Sequence, residues 1–341
     1  MKTKVLFLGF VFILCSLFPL FAQNTNTSEK PKEQMFKAMA GISMMPWTFW
    51  QSGQWLREQG YYNGLEYDLD TNAFTSYEGQ LWHKSGLKLG FGADVDDNFI
   101  GKLNKWAGYL GFKKLALRVA GGDITGTAYW KATPVPGQPE TASVHTKYIT
   151  VDLMYGIGDP SLGMYVGLSY TSYEMPVELQ GLTKNNKGQV VGANLAYDDA
   201  IKFQNYAITF GFDNLNGALM TGREGFNLWI FTQDSFFGGP LHVSDEGMRR
   251  LQNANPTLDL LPKQDFVVIG VQYDITAGIS YTKKLGPVML GAGVGYNFSG
   301  RAMYSFATYF NTIQEGSNQM MAVTEPYLFH HGVVFKLAIA Y

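Results

Sequence analysis

The chain of 341 residues holds one cysteine, Cys15, within an apolar run near the N-terminus. The remainder therefore has no disulfide and no thiolate chemistry, and its stability must come from a large core or from extensive hydrogen bonding. Charge is also scarce: 16% of residues are charged and the formal net charge is −2. That balance lacks the basic footprint of a nucleic-acid binder, so no nucleic acid is expected as a partner. Beyond residue 22 no apolar run approaches the ~18 residues that would read as a transmembrane helix. No Gly-x-Ser-x-Gly nucleophile elbow occurs. Glycine pairs such as Gly121-Gly122 lack the helix start and basic partner of a phosphate loop.

What the chain does have begins with Lys2 and Lys4, followed by the apolar stretch Val5 to Phe21 and then Leu20-Phe21-Ala22 before Gln23. This pattern predicts a signal peptide over 1–22, cleaved after Ala22. Cys15 follows Leu14, not the small residue of a lipoprotein signal. Residues 23–35 are mostly polar and read as a flexible periplasmic leader. Residues 36–341 form the rest of the chain, with aromatics at 15% overall and 39 glycines.

Alternation dominates that remainder. From Val267 to Tyr281 one face reads Val, Ile, Val, Tyr, Ile, Ala, Ile, Tyr, and the other reads Val268, Gly270, Gln272, Asp274, Thr276, Gly278, Ser280. A period of two over this length exceeds the ~5–6 residues of an ordinary soluble strand. One apolar face opposite one small, polar face is the signature of a wall between lipid and a lumen. Val288 to Ser299 repeats it after the turn Lys283-Lys284-Leu285-Gly286. Further tight turns are read at Gly158-Asp159-Pro160-Ser161 and Asp213-Asn214-Leu215-Asn216-Gly217. Long polar connections are read at 175–202, 233–263 and 302–324. Earlier strands are read at 38–50, 81–94 and 115–130, the last with an irregularity at Gly121-Gly122. Phe99, Leu103, Trp106 and Leu110 recur at three- and four-residue spacings, which predicts a short amphipathic helix over 97–112.

The resulting fold class is all-β: a transmembrane antiparallel up-and-down barrel of about ten strands, with twelve as the alternative, short periplasmic turns and long extracellular loops. Backwards from the last residue, Tyr341, Ile339, Leu337, Phe335 and Val333 fall on one face. A final aromatic with hydrophobics at every second position resembles the C-terminal β-signal of bacterial outer-membrane proteins. The resemblance implies outer-membrane lipid and the barrel-assembly machinery as partners, and the bacterial outer membrane as location.

By alternation, Lys88, Asp94, Arg118, Asp152, Asp274 and Lys336 should line the lumen. Charges in so narrow a space should pair, or else select small polar solutes passing through water. A surface or adhesin role working through the extracellular loops, with an extracellular ligand, is the alternative. Ten-stranded barrels include the omptin proteases, which rely on paired aspartates and an Asp–His pair at the extracellular rim. Asp94, Asp96 and Asp97 cluster here but are expected at the periplasmic end. His83, His242, His330 and His331 are expected at the outer end, without Asp-x-His spacing. No catalytic residue is carried over and no enzyme is expected. His330 and His331, near Glu325, are adjacent on a strand and point to opposite faces, so no metal site and no cofactor are expected. Trp47, Phe49, Trp50, Trp82, Tyr129, Trp130, Tyr170, Tyr173 and Trp229 are read as an aromatic girdle at the membrane interfaces.

Overall fold

β-branched and aromatic residues at every second position favour the pleated conformation, and nearly every such stretch is a strand. A computed structural model describes residues 35–52, 65–69, 73–96, 103–130, 141–158, 163–184, 190–242, 265–305, 319–323 and 328–341. The expected signal peptide and the leader up to residue 34 lie outside the described residues. The strands belong to one unit, Phe36–Tyr341.

In chain order they are β1 (Phe36–Met45), β2 (Phe49–Ser52), β3 (Leu65–Leu69), β4 (Phe74–His83), β5 (Leu87–Asp96), β6 (Leu103–Phe112) and β7 (Leu115–Trp130). There follow β8 (Thr141–Gly156), β9 (Tyr165–Lys184), β10 (Val190–Asp213), a helix α1 (Asn214–Thr221) and β11 (Gly225–His242). The last are β12 (Asp265–Leu285), β13 (Val288–Ser305), β14 (Gln319–Val323) and β15 (Leu328–Ala340). Twelve of them, β1, β4 to β13 and β15, pair antiparallel in that order, and β1 pairs β15 from Met39↔Ala340 to Met44↔Phe335. Reciprocal backbone bonds between Ala38 and Tyr341, at 2.8 and 2.9 Å, complete the seam. The barrel is closed, so no wall strand is left with an unpaired edge.

Twelve strands, the alternative count, replace ten because β4 and β6 are strands in their own right. Of the helix expected over 97–112, the described part, from Leu103, is strand β6. A bulge explains the misleading spacing. Asp94 pairs Lys105 while Val95 pairs Leu103, which leaves Asn104 as the extra residue. An inserted residue shifts the alternation by one, so outward Leu103 and Trp106 stand three apart. Gly108 then takes the next outward place and Leu110 falls four beyond Trp106.

Recovering these two strands also reverses one assignment of ends. β5 starts at the tight turn after His83 and runs away from it, so Asp94 lies towards the long-connection end and His83 at the short-turn end. The irregularity expected at Gly121-Gly122 is absent, because β7 keeps register through both residues. Those glycines clear space instead: a Cβ at Gly121 would stand 2.8 Å from the Trp106 ring.

Short connections gather at one end: Lys84 to Gly86, Lys113-Lys114, and Gly286-Pro287, where β12 reaches Leu285 and β13 starts at Val288. At the other end the expected loops over 175–202, 233–263 and 302–324 prove to contain much strand. β9 and β10 continue as a hairpin through 20 and 24 residues, well past the ~9–11 that cross a bilayer. β14 pairs the outer part of β9, β3 pairs β7, and β2 pairs β15.

The wall has two chemistries. Leu110, Leu117, Leu153, Leu168, Ile208, Leu228, Ile279 and Leu337 are exposed on its outside, on β6 to β12 and β15. On the inside, Thr276, Ser280 and Thr282 of β12 are buried. Ile279 is 60% exposed and its neighbour Ser280 4%. An apolar surface running round most of a barrel far exceeds the patch of a few hundred Å² typical of soluble monomers. Among the described residues no helix is long and apolar enough to cross a membrane, a statement that does not bear on β-barrels.

Candidate functional site

The expected tight turn at Asp213 to Gly217 is the start of helix α1. Asp213 caps it, its carboxylate accepting from Asn216 N–H at 3.1 Å, which satisfies one of the donors every helix start leaves open. Gly222 ends it in the left-handed conformation (φ 75°), with Arg223 N–H donating to Ala218 O at 2.9 Å. Asn214 Oδ1 accepts from Ile230 N–H at 2.9 Å, which stitches the helix start to β11.

The helix turns back into the barrel. Leu215, Ala218, Leu219 and Met220 are 5% exposed or less, and Leu215, Leu219 and Met220 form a cluster with Met39, Trp229, Met289, Val334, Ala338 and Ala340 from the inner faces of β1, β11, β13 and β15. Two inner glycines of β13 make room: a Cβ at Gly291 would stand 3.0 Å from Leu219, and one at Gly293 2.8 Å from the Trp229 ring. Trp229 and Trp82, expected in the interface girdle, are corrected here. Trp229 is 3% exposed inside the barrel and Trp82 packs against the same cluster. Outward Trp47 and Phe49 are more than half exposed. The side chains of Trp50, Tyr129, Trp130 and Tyr173 lie outside the described set.

Above this apolar seal sits an ionic cluster. Lys336, 6% exposed, reaches Glu78 at 2.6 Å and Asp213 at 3.7 Å. Asn216 of α1 donates to the other Glu78 oxygen at 2.9 Å. One lysine thus ties the helix cap to the walls of β4 and β15. At the far end of the helix, Lys37 donates to Met220 O at 3.2 Å.

Beyond the cluster lies a cavity of about 410 Å³, walled by Glu78, Asp94, Lys105, Arg118, Asp274, Arg301, His330 and Lys336 together with Phe74, Tyr148 and Trp229. Lys105 pairs with Asp94 at 3.7 Å. Asp274 accepts from Asn297 at 2.7 Å. Arg301 lies over the Phe237 ring, 4.3 Å from its centre. Across three neighbouring strands Asp274, Ser299 and His330 stand directly opposite one another and all line the cavity. Such a row brings a carboxylate, a hydroxyl and an imidazole within cross-strand reach.

Of the six residues expected to line the lumen, Asp94, Arg118, Asp274 and Lys336 line this cavity. Asp152, 2% exposed, lies behind it, bound to Arg118 at 3.1 Å. Lys88 is set apart nearer the short turns, with its ammonium 4.6 Å from the centre of the Trp82 ring. Sequence reasoning missed Glu78, Lys105, Asp213, Arg301 and His330. Lys105 was hidden by the bulge, and Asp213 by the turn that proved to be a helix. Arg301 merely continues the alternation Asn297, Ser299 by two more residues, a signal that was present. His330, expected as a rim residue, is buried in the wall against Phe74, whereas His331 faces away and bonds Tyr296 Oη at 2.5 Å. Among the described residues no group of three or more potential ligands could hold a metal ion.

No protein-family model matches the chain, and no curated protein matches it. Among solved structures it is similar to the outer membrane protease OmpT of Escherichia coli, at 10% identity, covering 92% of this chain and 99% of that one, with a TM-score of 0.28. Likeness at this level transfers no residue and no reaction. That structure is nevertheless an enzyme, and the expectation that this chain is not one is corrected on that finding: barrel form gives no ground for excluding catalysis.

Proposed function

We propose that the chain is a bacterial outer-membrane barrel that admits small polar solutes from the long-connection side into a charged lumen, and passes them on when α1 leaves the short-turn end. In this reading the exposed apolar face of the wall meets lipid. The short turns are periplasmic and the extended hairpins extracellular. Val333, Phe335, Leu337, Ile339 and Tyr341 serve the assembly machinery, and residues 1–22 direct export.

The observation that carries the reading is the internal cavity. A space of about 410 Å³ bounded by four cationic and four anionic side chains, Lys105, Arg118, Arg301 and Lys336 against Glu78, Asp94, Asp213 and Asp274, suits a small hydrated or polar guest. It would be costly as dry packing. The ring of charge would set selectivity as in other polar constrictions. One observation favours a second reading, a barrel that works through its extracellular parts: the seal of Leu215, Leu219 and Trp229 beneath the cavity.

The deciding experiment is single-channel conductance and liposome swelling of the refolded barrel, and of a variant in which residues 214–221 are replaced by a short Gly/Ser turn. Passage predicts rare or small openings in the wild type and large, lasting ones in the variant, with ion selectivity altered by Asp274→Asn. A folded variant that still passes nothing would sink the passage reading in favour of the second.

A further inference from the structure

The ladder between β12 and β13 places two inward charges of opposite sign side by side. Gln272 stands opposite Arg301 and Asp274 opposite Ser299, so Asp274 and Arg301 are diagonal neighbours on one face. Both line the cavity. Diagonal side chains start about 7–8 Å apart, within reach of a long one. Each of these two is nevertheless held by a partner that draws it away from the other. Asp274 Oδ1 accepts from Asn297 Nδ2 at 2.7 Å, and Asn297 stands opposite Thr276, a step nearer the short turns. Asn297 also donates to Thr276 Oγ1 at 3.0 Å, and both residues are buried, so this anchor is fixed. The Arg301 guanidinium lies 4.3 Å over Phe237 of β11, which stands opposite Gly270, on the far side of Gln272. Carboxylate and guanidinium thus lean apart, with Gln272 and Ser299 between them on the cavity wall.

The other charges nearby leave these two as poles. Lys105, across the lumen from Asp274, is paired with Asp94 at 3.7 Å. Asp234 stands opposite outward Phe210 and bonds Thr232, so it acts on Asp274 through its field and adds to the negative end. Arg118, which shares a side recess of the cavity with Arg301, is paired with Asp152 at 3.1 Å. Glu78, Asp213 and Lys336 are engaged with one another at the boundary with the seal. His330 stands opposite Ser299, and an ordinary imidazole is mostly uncharged at pH 7. One end of the slot is therefore anionic and the other cationic.

That polarity specifies the guest. A guest with a single charge serves one pole and meets like charge at the other. A neutral guest displaces water from a carboxylate and a guanidinium without replacing it by countercharge, which is costly in a confined space. A molecule with an ammonium at one end and a carboxylate at the other serves both. Asp274 can accept beyond the one bond from Asn297, since a carboxylate offers about four lone-pair sites. A guanidinium presents a planar fork of donors that matches a carboxylate, and contact through its face with a ring uses none of them. Gln272 is exposed to the lumen between the poles, and its amide carries both donor and acceptor, the complement of a peptide group.

We propose that this slot is a subsite for a small zwitterion, an amino acid or a short peptide, with its ammonium on Asp274, its carboxylate on Arg301 and its remainder in the main cavity. The inference rests on the reading that solutes enter the lumen. Its test is calorimetric titration of the refolded full barrel in detergent at pH 7 with glycine, diglycine and triglycine, a series that also reads the spacing of the poles. The N-acetyl form of each lacks the ammonium, and the C-terminal amide of each lacks the carboxylate. Saturable binding of at least one zwitterion is expected, about tenfold or more tighter than either of its blocked forms, a difference of ~1.4 kcal/mol.

Asp274→Asn should erase the preference for a free ammonium and keep that for a free carboxylate, and Arg301→Gln should do the converse. Equal weakening of every probe would mark both side chains as merely structural and overturn the inference. Should a variant fail to refold, the comparison of free with blocked probes on the wild type still decides. Absence of saturable binding by every zwitterion, or blocked forms that bind as tightly as free ones, would overturn the inference. Binding without passage in the swelling assay would remove the passage reading and keep this one. Passage without zwitterion binding would do the reverse.

Discussion

At the short-turn end the barrel interior is filled by Leu215, Leu219, Met220, Met289 and Trp229. Further along the same strands, the inner face carries Asp274 on β12, Asn297 and Arg301 on β13 and His330 on β15, around open space. Both regions are walled by one alternating pattern, and they differ in what the chain supplies to fill them. Where a connection is long enough to fold inward as a helix, and inner positions of β13 are glycine, apolar packing seals the lumen. Where, among the described residues, no such filler arrives, charges line a cavity. Closure of this barrel is thus a local property of one connection and of the residues that receive it.

The boundary between the two regions is where that comparison can be broken most forcefully. Lys336→Met leaves Glu78 and Asp213 facing each other without their cation, and loss of one partner from a buried cluster costs about 3–5 kcal/mol. A markedly lower thermal midpoint, followed by the shift in electrophoretic mobility on heating, should accompany new conductance if the ionic cluster holds the seal. A leak-free variant would mean that apolar packing alone suffices.

Gly293→Ala probes the seal without touching charge. Its Cβ would press to 2.8 Å of the Trp229 ring, and overpacking of this kind costs about 1–3 kcal/mol. The same melting assay reads it. An unchanged midpoint would show that the indole shifts freely and that the seal is loosely packed.

The smallest effect is expected outside both regions. Glu224→Gln breaks the 3.7 Å pair with Lys283, in which both side chains are about half exposed. Water and salt screen such pairs, so the cost should be about 0–1 kcal/mol. A larger loss would show that the short turns contribute to closure beyond α1.

Some of this could be read from the order of residues alone. The alternation of β12, β13 and β15 specified the lipid-type and lumen-type faces, because a strand's side chains point to opposite sides whatever surrounds it. On β12 and β15 it assigns Asp274 and Lys336 to the inner face, and the same reading of β5 and β7 assigns Asp94 and Arg118 there. Alternation cannot reveal a break in itself. The Asn104 bulge turned a strand into an apparent helix, removed Lys105 from view and, with β4 also missed, reversed the assignment of ends for Asp94 and His83. Nor does it say which turn folds inward, since Asp213 to Gly217 has the composition of an ordinary turn and becomes a helix only because Met39, Met289 and Trp229 offer its apolar residues a place to bury. The sequence determined the faces of the wall, which depend on neighbours in the chain. Only the tertiary structure decided the seal, the ion partners and the cavity, because each of these depends on residues far apart in the chain meeting inside a closed barrel.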